Sequence, residues 1–166
     1  SIIPSLAQVT KSGYIYLLNR ITGKPLYKII ERPVPSKSNL EGEVLSKTQP
    51  IPTFPDPFSR QSLTKNDINS FVIERERDSL IKIFTSLLKD DIFSPPSEEG
   101  TLIFPGFDGG AEWGGPALDP INNKLFINSN EMPWILTMKK VSNTDSQGMN
   151  IYCLLYTSDA ADESLC

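Results

Sequence analysis

The chain has 166 residues, 16 of them basic and 20 acidic, and it contains no histidine. Three of the acids (Asp159, Asp162, Glu163) and both cysteines (Cys153, Cys166) fall at residue 153 or beyond, so what precedes is almost neutral and free of thiols. That excludes a disulfide framework, a thiolate zinc site, a histidine base and a histidine-held heme, and it offers nucleic acid no basic stripe. The length suits one ordinary domain. No apolar run approaches a membrane span, and the start, at Ser1, lacks the layout of a secretory signal. It reads as an internal piece of something longer.

In chain order, the first predicted element is a β-meander. Tyr14, Tyr16 and Leu18 alternate with Ile15 and Leu17, as in a strand with both faces partly buried. Thr10-Lys11-Ser12-Gly13 is the turn before it, and Arg20-Ile21-Thr22-Gly23 the turn after it, leading to a second strand over Pro25–Ile30. From about Arg32 to Arg60 the chain is a proline-rich excursion: Pro33, Pro35, Pro50, Pro52, Pro55 and Pro57 forbid a regular helix or central strand. Val34, Leu45, Ile51, Phe54 and Phe58 within it favour a loop packed on a surface over a disordered linker. Thr64 with Asp67 forms a capping-box pattern that opens a short helical turn. Leu80, Ile83, Phe84, Leu87 and Leu88 recur at helical spacing, predicting an amphipathic helix over about Val72–Lys89. Strands are expected again at Thr101–Phe104, Ala117–Leu118, Lys124–Asn128 and Trp134–Lys139, with a turn at Pro120–Asn123, as a second, incomplete meander.

The stretch Thr101-Leu-Ile-Phe-Pro-Gly-Phe-Asp-Gly-Gly-Ala-Glu-Trp-Gly-Gly115 concentrates glycines where a β-rich run turns. Glycine lets a backbone approach a flat ligand closely and adopt positive φ. Glu112 and Trp113 set a charge and an indole side by side there. Taken alone, the stretch is equally a glycine-rich surface loop with a core tryptophan.

Several ordered pieces carry a resemblance. They are Val9-Thr-Lys-Ser-Gly, the strand ending in Asn19-Arg-Ile-Thr-Gly23, Thr48-Gln-Pro50, Phe104-Pro-Gly106 with Glu112-Trp-Gly-Gly115, and Asn128-Ser-Asn-Glu-Met-Pro133. From about Val9 to Met138 the chain closely resembles the membrane-type glucose dehydrogenase branch of the quinoprotein dehydrogenases, which use pyrroloquinoline quinone (PQQ). The resemblance implies a mainly β fold, a partial sector of about one and a half blades from an eight-bladed β-propeller. Residues 1–152 would be the propeller piece, with 32–98 as an inserted proline-rich loop and amphipathic helix. It also implies a periplasmic parent oxidising a sugar or alcohol hydroxyl, a quinone or cytochrome electron acceptor, calcium or magnesium beside the PQQ, and membrane association of the parent.

The same resemblance implies the site. Lys11, by itself a solvent-facing turn lysine, aligns with the family lysine that approaches the quinone oxygens, where an ammonium favours the negative charge developing during reduction. Glu112 aligns with a pocket acid of the glucose-oxidising branch; its alternative is a rim carboxylate. Asn128 lies at a pocket asparagine, or simply caps a strand end. Trp113 lines the pocket or belongs to the core. The family's aspartate base and main metal ligands belong to segments upstream of Lys11, so no catalytic or metal-binding residue is expected here, and the piece alone is expected to be inactive. A non-catalytic propeller scaffold is the competing function.

Cys153-Leu-Leu-Tyr-Thr-Ser-Asp-Ala-Ala-Asp-Glu163 resembles the translation of a transposase-type sequencing adapter, which makes 153–166 a non-native tail. The alternative is a short strand over Ile151–Tyr156 with a polar end.

Overall fold

The computed structural model describes residues 2–111, 114–144 and 150–155. They are mainly β, with nine strands and one α-helix among them. Two compact units can be drawn, and the chain crosses between them several times.

One unit comprises the chain up to Val34 together with Thr48–Gln61 and Phe104–Pro133. β1 (Ser5–Val9) and β2 (Ile15–Asn19) form an antiparallel hairpin, with Val9 opposite Ile15. The predicted turn after β2 forms: the Asn19 side chain accepts from the main-chain N–H groups of Ile21 and Thr22, at 2.9 and 3.2 Å. The strand expected over Pro25–Ile30 does not. Only an isolated bridge, Leu18 to Pro25, extends the hairpin. The chain instead forms β3 (Ile29–Pro33), which pairs with β4 (Thr48–Pro52) inside the proline-rich excursion. Both strands are edges of a two-stranded sheet, so a proline can stand where no ladder bond is needed. Pro50 does so. Its carbonyl accepts from the Tyr16 hydroxyl at 2.6 Å, so the polar edge at this residue faces β2 rather than β3.

β6 (Ala117–Asp119) and β7 (Lys124–Phe126) make a second hairpin. Asp119 accepts from the N–H groups of Ile121 and Asn122 across the turn, and Asn123 takes φ 53°. Val9, Ile15 and Ala111 are buried together, with Ala7, Leu17, Phe58 and Ile127 packed around them. This small core matters because it fixes the residues immediately before Ser59, Glu112 and Asn128.

The other unit holds Pro35–Lys47, Ser62–Ile103 and the chain from Trp134 on. Its sheet runs β5 (Thr101–Ile103), β8 (Trp134–Thr144), β9 (Asn150–Leu155). β5 therefore pairs with β8 and not with β6, and the expected second meander is instead two separate sheets. The cause is local: β6 and β7 are only three residues each and close on one another through the Asp119 turn, leaving β8 to complete β5. The strand anticipated near Ile151 forms as β9, while residues 156–166 lie outside the described residues.

Ser97 and Thr101, the first residue of β5, are fully buried polar residues. Both hydroxyls are satisfied: Thr101 Oγ1 donates to the Pro95 carbonyl at 2.8 Å, Ser97 Oγ accepts from Gly100 N at 3.0 Å, and the two hydroxyl oxygens lie 3.3 Å apart. The predicted capping box is present, with Thr64 and Asp67 bracketing a short 3₁₀ turn over Lys65–Asp67. The helix, α1 (Glu74–Ser86), is shorter than its periodicity proposed and buries none of its residues. Leu87, just beyond its end, is the buried member of the apolar stripe. No helix among the described residues is long and apolar enough to cross a membrane.

Lys140 on β8 donates to the exposed Glu41 carboxylate at 3.1 Å. That hydrogen bond, helped by the charge of Lys140, lowers the Glu41 carboxyl from 4.5, and the same bond raises the Lys140 ammonium from 10.5. A depressed acid contributes above its unfolded pKa and loses that contribution as pH falls through the folded one. The raised lysine contributes below 10.5 and loses its share as pH climbs through the higher value. In a carbon-detected NMR titration the Glu41 midpoint should lie below 4.5 and return toward it in Lys140→Ala. An unchanged midpoint in that variant would contradict the pairing.

Candidate functional site: a lysine turn clasped by a glycine loop

The hairpin turn from Thr10 to Tyr14 is closed from within. Thr10 N donates to the Tyr14 carbonyl and Gly13 N to the Thr10 carbonyl, each at 3.0 Å. The Thr10 hydroxyl also accepts from Tyr14 N at 3.1 Å. Gly13 takes φ +84°, in the left-handed region that side chains disfavour. Lys11 stands at the exposed tip of this turn.

Three distant segments of the same unit hold the turn from outside. The glycine loop is the first: Gly110 N donates to the Lys11 carbonyl at 2.6 Å, and Lys11 Nζ donates to the Phe107 carbonyl at 2.6 Å. Gly109 lies flat against the lysine, so close that a Cβ there would stand 2.8 Å from Lys11 Cα. The proline-rich strap is the second. Phe58 N donates to the Gly13 carbonyl at 2.9 Å, Gln61 Nε2 to the Ser12 carbonyl at 3.0 Å, and Ser59 is buried beneath Gly13. The segment after β7 is the third, acting through the glycine loop: Asn130 N donates to the Gly110 carbonyl at 3.0 Å, and Gly106 N to the Met132 carbonyl at 2.9 Å.

Of the four predicted site residues, Lys11 is thus placed at the centre of this clasp. Asn128 is exposed in the loop beyond β7, which ends at Phe126 rather than at Asn128. It sits between core-packed Ile127 and Asn130, whose main chain binds Gly110, so it belongs to the segment that supports the glycine loop. Glu112 and Trp113 lie outside the described residues; Ala111, immediately before them, is buried.

The sequence assigns no role to Arg60 or to Glu131, the latter only a weak candidate for its nearness to Asn128. Arg60 N donates to Glu131 Oε1 at 2.8 Å and Arg60 Nε to Oε2 at 2.6 Å, a two-pronged contact between residues 71 positions apart. The Arg60 guanidinium also lies 5.5 Å from the centroid of the buried Phe104 ring. Nothing local marks such a pair; its one trace was the nearness of Glu131 to Asn128.

What this arrangement offers chemically is an exposed ammonium on a turn and an exposed amide in a loop, the turn and the loop each hydrogen-bonded to the glycine-rich segment. A family model described as "PQQ: Glucose/ethanol/alcohol dehydrogenase, beta-propeller domain" matches residues 1–153, and the chain belongs to that family. It is 35% identical, over 82% of its length, to quinate/shikimate dehydrogenase (quinone) of Acinetobacter baylyi. It is 32% identical, over 80%, to quinoprotein glucose dehydrogenase A of Acinetobacter calcoaceticus. A third relative is the glycerol dehydrogenase large subunit of Gluconobacter thailandicus, 30% identical over 89% of the chain. These matches cover 17%, 17% and 20% of the relatives, so the chain spans under a quarter of their length. No solved structure matches significantly.

Proposed function

We propose that the chain contributes one wall of the cofactor site in a PQQ-dependent dehydrogenase that oxidises a hydroxyl of a sugar or polyol. The observation that carries this reading is the clasp itself: Lys11 and the glycine loop, far apart in sequence, are joined through both the Lys11 carbonyl and its ammonium. The donor set fits the group. PQQ is a planar, tricarboxylated ortho-quinone, and an accessible cation is the chemistry its oxygens require. When bound, PQQ supplies the electron-accepting carbonyls.

The chain's own part is electrostatic. Lys11 is held by the Phe107 carbonyl and can present its remaining N–H groups to an oxygen that gains negative charge, without reorganising the turn. Asn128 is a neutral donor to the same ring system or its carboxylates. Glu112 would pair with Lys11 or meet substrate, and Trp113 would supply a flat apolar surface. The proton-abstracting base and the calcium or magnesium ion are assigned to other parts of the full-length protein.

The named relatives act on glucose, glycerol and quinate or shikimate, which are all polyhydroxylated, and this supports the substrate class. The word "quinone" in the name of one of them supports a quinone acceptor, with a cytochrome as the other candidate. We place the enzyme in the periplasm and treat 153–166 as a non-native tail. The relatives lend no support to a non-catalytic scaffold.

Titrating the full-length apo-protein with PQQ and calcium, and following the quinone absorbance, tests the reading. Saturable binding is expected, weakened at least tenfold or so by Lys11→Ala, which removes a charge-assisted contact. Dye-linked turnover should appear with at least one sugar or polyol. Absence of PQQ binding in the wild type would overturn the proposal.

A further inference from the structure

We infer that Arg60 and Glu131 are positioning residues, whose ion pair sets where the Lys11 ammonium stands relative to the cofactor. This rests on the reading of Lys11 given above, and it goes beyond it by assigning a role to two residues that are not among the predicted site positions.

Following the contacts around the site leads to a closed circuit. Glu131 lies between Asn130 and Met132, and these two grip the glycine loop at Gly110 and Gly106. Arg60 lies between Ser59 and Gln61, which with Phe58 support the lysine turn at Gly13 and Ser12. The glycine loop and the turn then meet each other at Gly110 and Lys11. The Arg60–Glu131 contact joins the two supports on the far side, so each support braces the other and both brace Lys11.

The geometry of the pair suits that task better than it suits bulk stability. Its side chains remain 52% and 31% exposed, a setting in which an ion pair adds little to folding free energy. Yet one of its two prongs is the main-chain N–H of Arg60. The carboxylate therefore fixes the orientation of the Ser59–Arg60 peptide, and with it the buried position of Ser59 under the turn. The strap needs such a fastening, because Pro55 and Pro57 remove two main-chain donors just upstream. Phe104, which packs under the Arg60 guanidinium, begins the glycine loop and ties the arginine to that end of the circuit as well.

Glu131→Gln tests this in the full-length protein. The amide can accept one prong and turns its NH2 toward the other donor, so the fastening fails without a change in size. Apo-protein titrated with PQQ should show an affinity loss of about tenfold, the scale seen when a residue that orients a ligand-binding group is altered. The absorption band of the bound quinone should move, while the apo-protein melting temperature stays within a few degrees of wild type. Arg60→Lys, which keeps the charge and the main-chain prong, should lose less affinity than Glu131→Gln.

The deciding measurement repeats Glu131→Gln in a Lys11→Ala background. If the pair acts through Lys11, the second substitution should then change affinity by less than about twofold. The same tenfold loss in both backgrounds would overturn the inference, as would unchanged affinity in the single variant. A wild type that binds PQQ, weakened by Lys11→Ala but untouched by Glu131→Gln, sinks this inference alone. A wild type that binds no PQQ sinks the functional reading beneath it.

Discussion

Gly109→Ala should destabilise the full-length protein by about 3 kcal/mol and abolish tight PQQ retention. Two independent effects add at this residue. Its φ of +81° places it in the left-handed region, where a side chain costs roughly 1–2 kcal/mol. The new Cβ would also stand 2.5 Å from Lys11 Cγ, 2.6 Å from its Cβ and 2.8 Å from its Cα. Swinging a side chain away cannot relieve the last of these, because Lys11 Cα is backbone. Either the glycine loop or the turn must withdraw, and the bond from Gly110 N to the Lys11 carbonyl is the first to stretch. Chemical denaturation of the apo-protein, set beside PQQ titration, would check both halves. Wild-type affinity in Gly109→Ala would mean that the loop and the lysine do not need to touch.

That sensitivity follows from how little buries the site. The core under it consists of Val9, Ile15 and Ala111 with a few half-buried neighbours, too small to enforce a geometry by packing alone. Main-chain hydrogen bonds between loops take over the work. They are directional, and two of them start at the core: Phe58, which donates to the Gly13 carbonyl, packs against it, and Gly110, which donates to the Lys11 carbonyl, immediately precedes buried Ala111. Apolar anchoring at one residue and polar function at the next is the pattern of this unit.

It also explains what could be seen in the sequence and what could not. The β2 strand with the turns on either side of it, the Asp119 turn, the Thr64 capping box and the glycine-rich turn after β5 were legible because each is encoded within a few residues. The pairing of β3 with β4 was hidden, since prolines at 50 and 52 argue against a strand unless the sheet has only two members. The meander failed at β5 for a similar reason: strand spacing reports that strands exist, and partner choice depends on contacts far along the chain. Helical periodicity found α1 but overran both ends, because Leu87 and Leu88 continue the stripe after the backbone has left the helix. Arg60 and Glu131 carry no periodicity at all. Two ordinary charges 71 residues apart become meaningful only once the strap and the β7 loop are side by side.

Gly13→Ala should be the second severe substitution, and Ser59→Ala should partly rescue it. At φ +84° alanine already carries the left-handed penalty, and its Cβ would lie 2.0 Å from Ser59 Oγ. We expect a loss of about 4 kcal/mol, combining about 2 kcal/mol of backbone strain with about 2 kcal/mol of overpacking. Ser59→Ala alone should be neutral or slightly stabilising, because that buried hydroxyl has no hydrogen-bond partner among the described residues. Together the two substitutions should cost only about 2 kcal/mol, a coupling of about 2 kcal/mol in the double-mutant cycle. The strain at residue 13 remains while the closest collision is gone, leaving Gln61 Nε2, the end of a flexible side chain, at 2.9 Å. PQQ affinity should follow the same order, because residue 13 closes the turn that bears Lys11 and Phe58 holds it from the strap. Strictly additive free energies would show that Ser59 does not lie under the turn, and the strap would lose its place in the site.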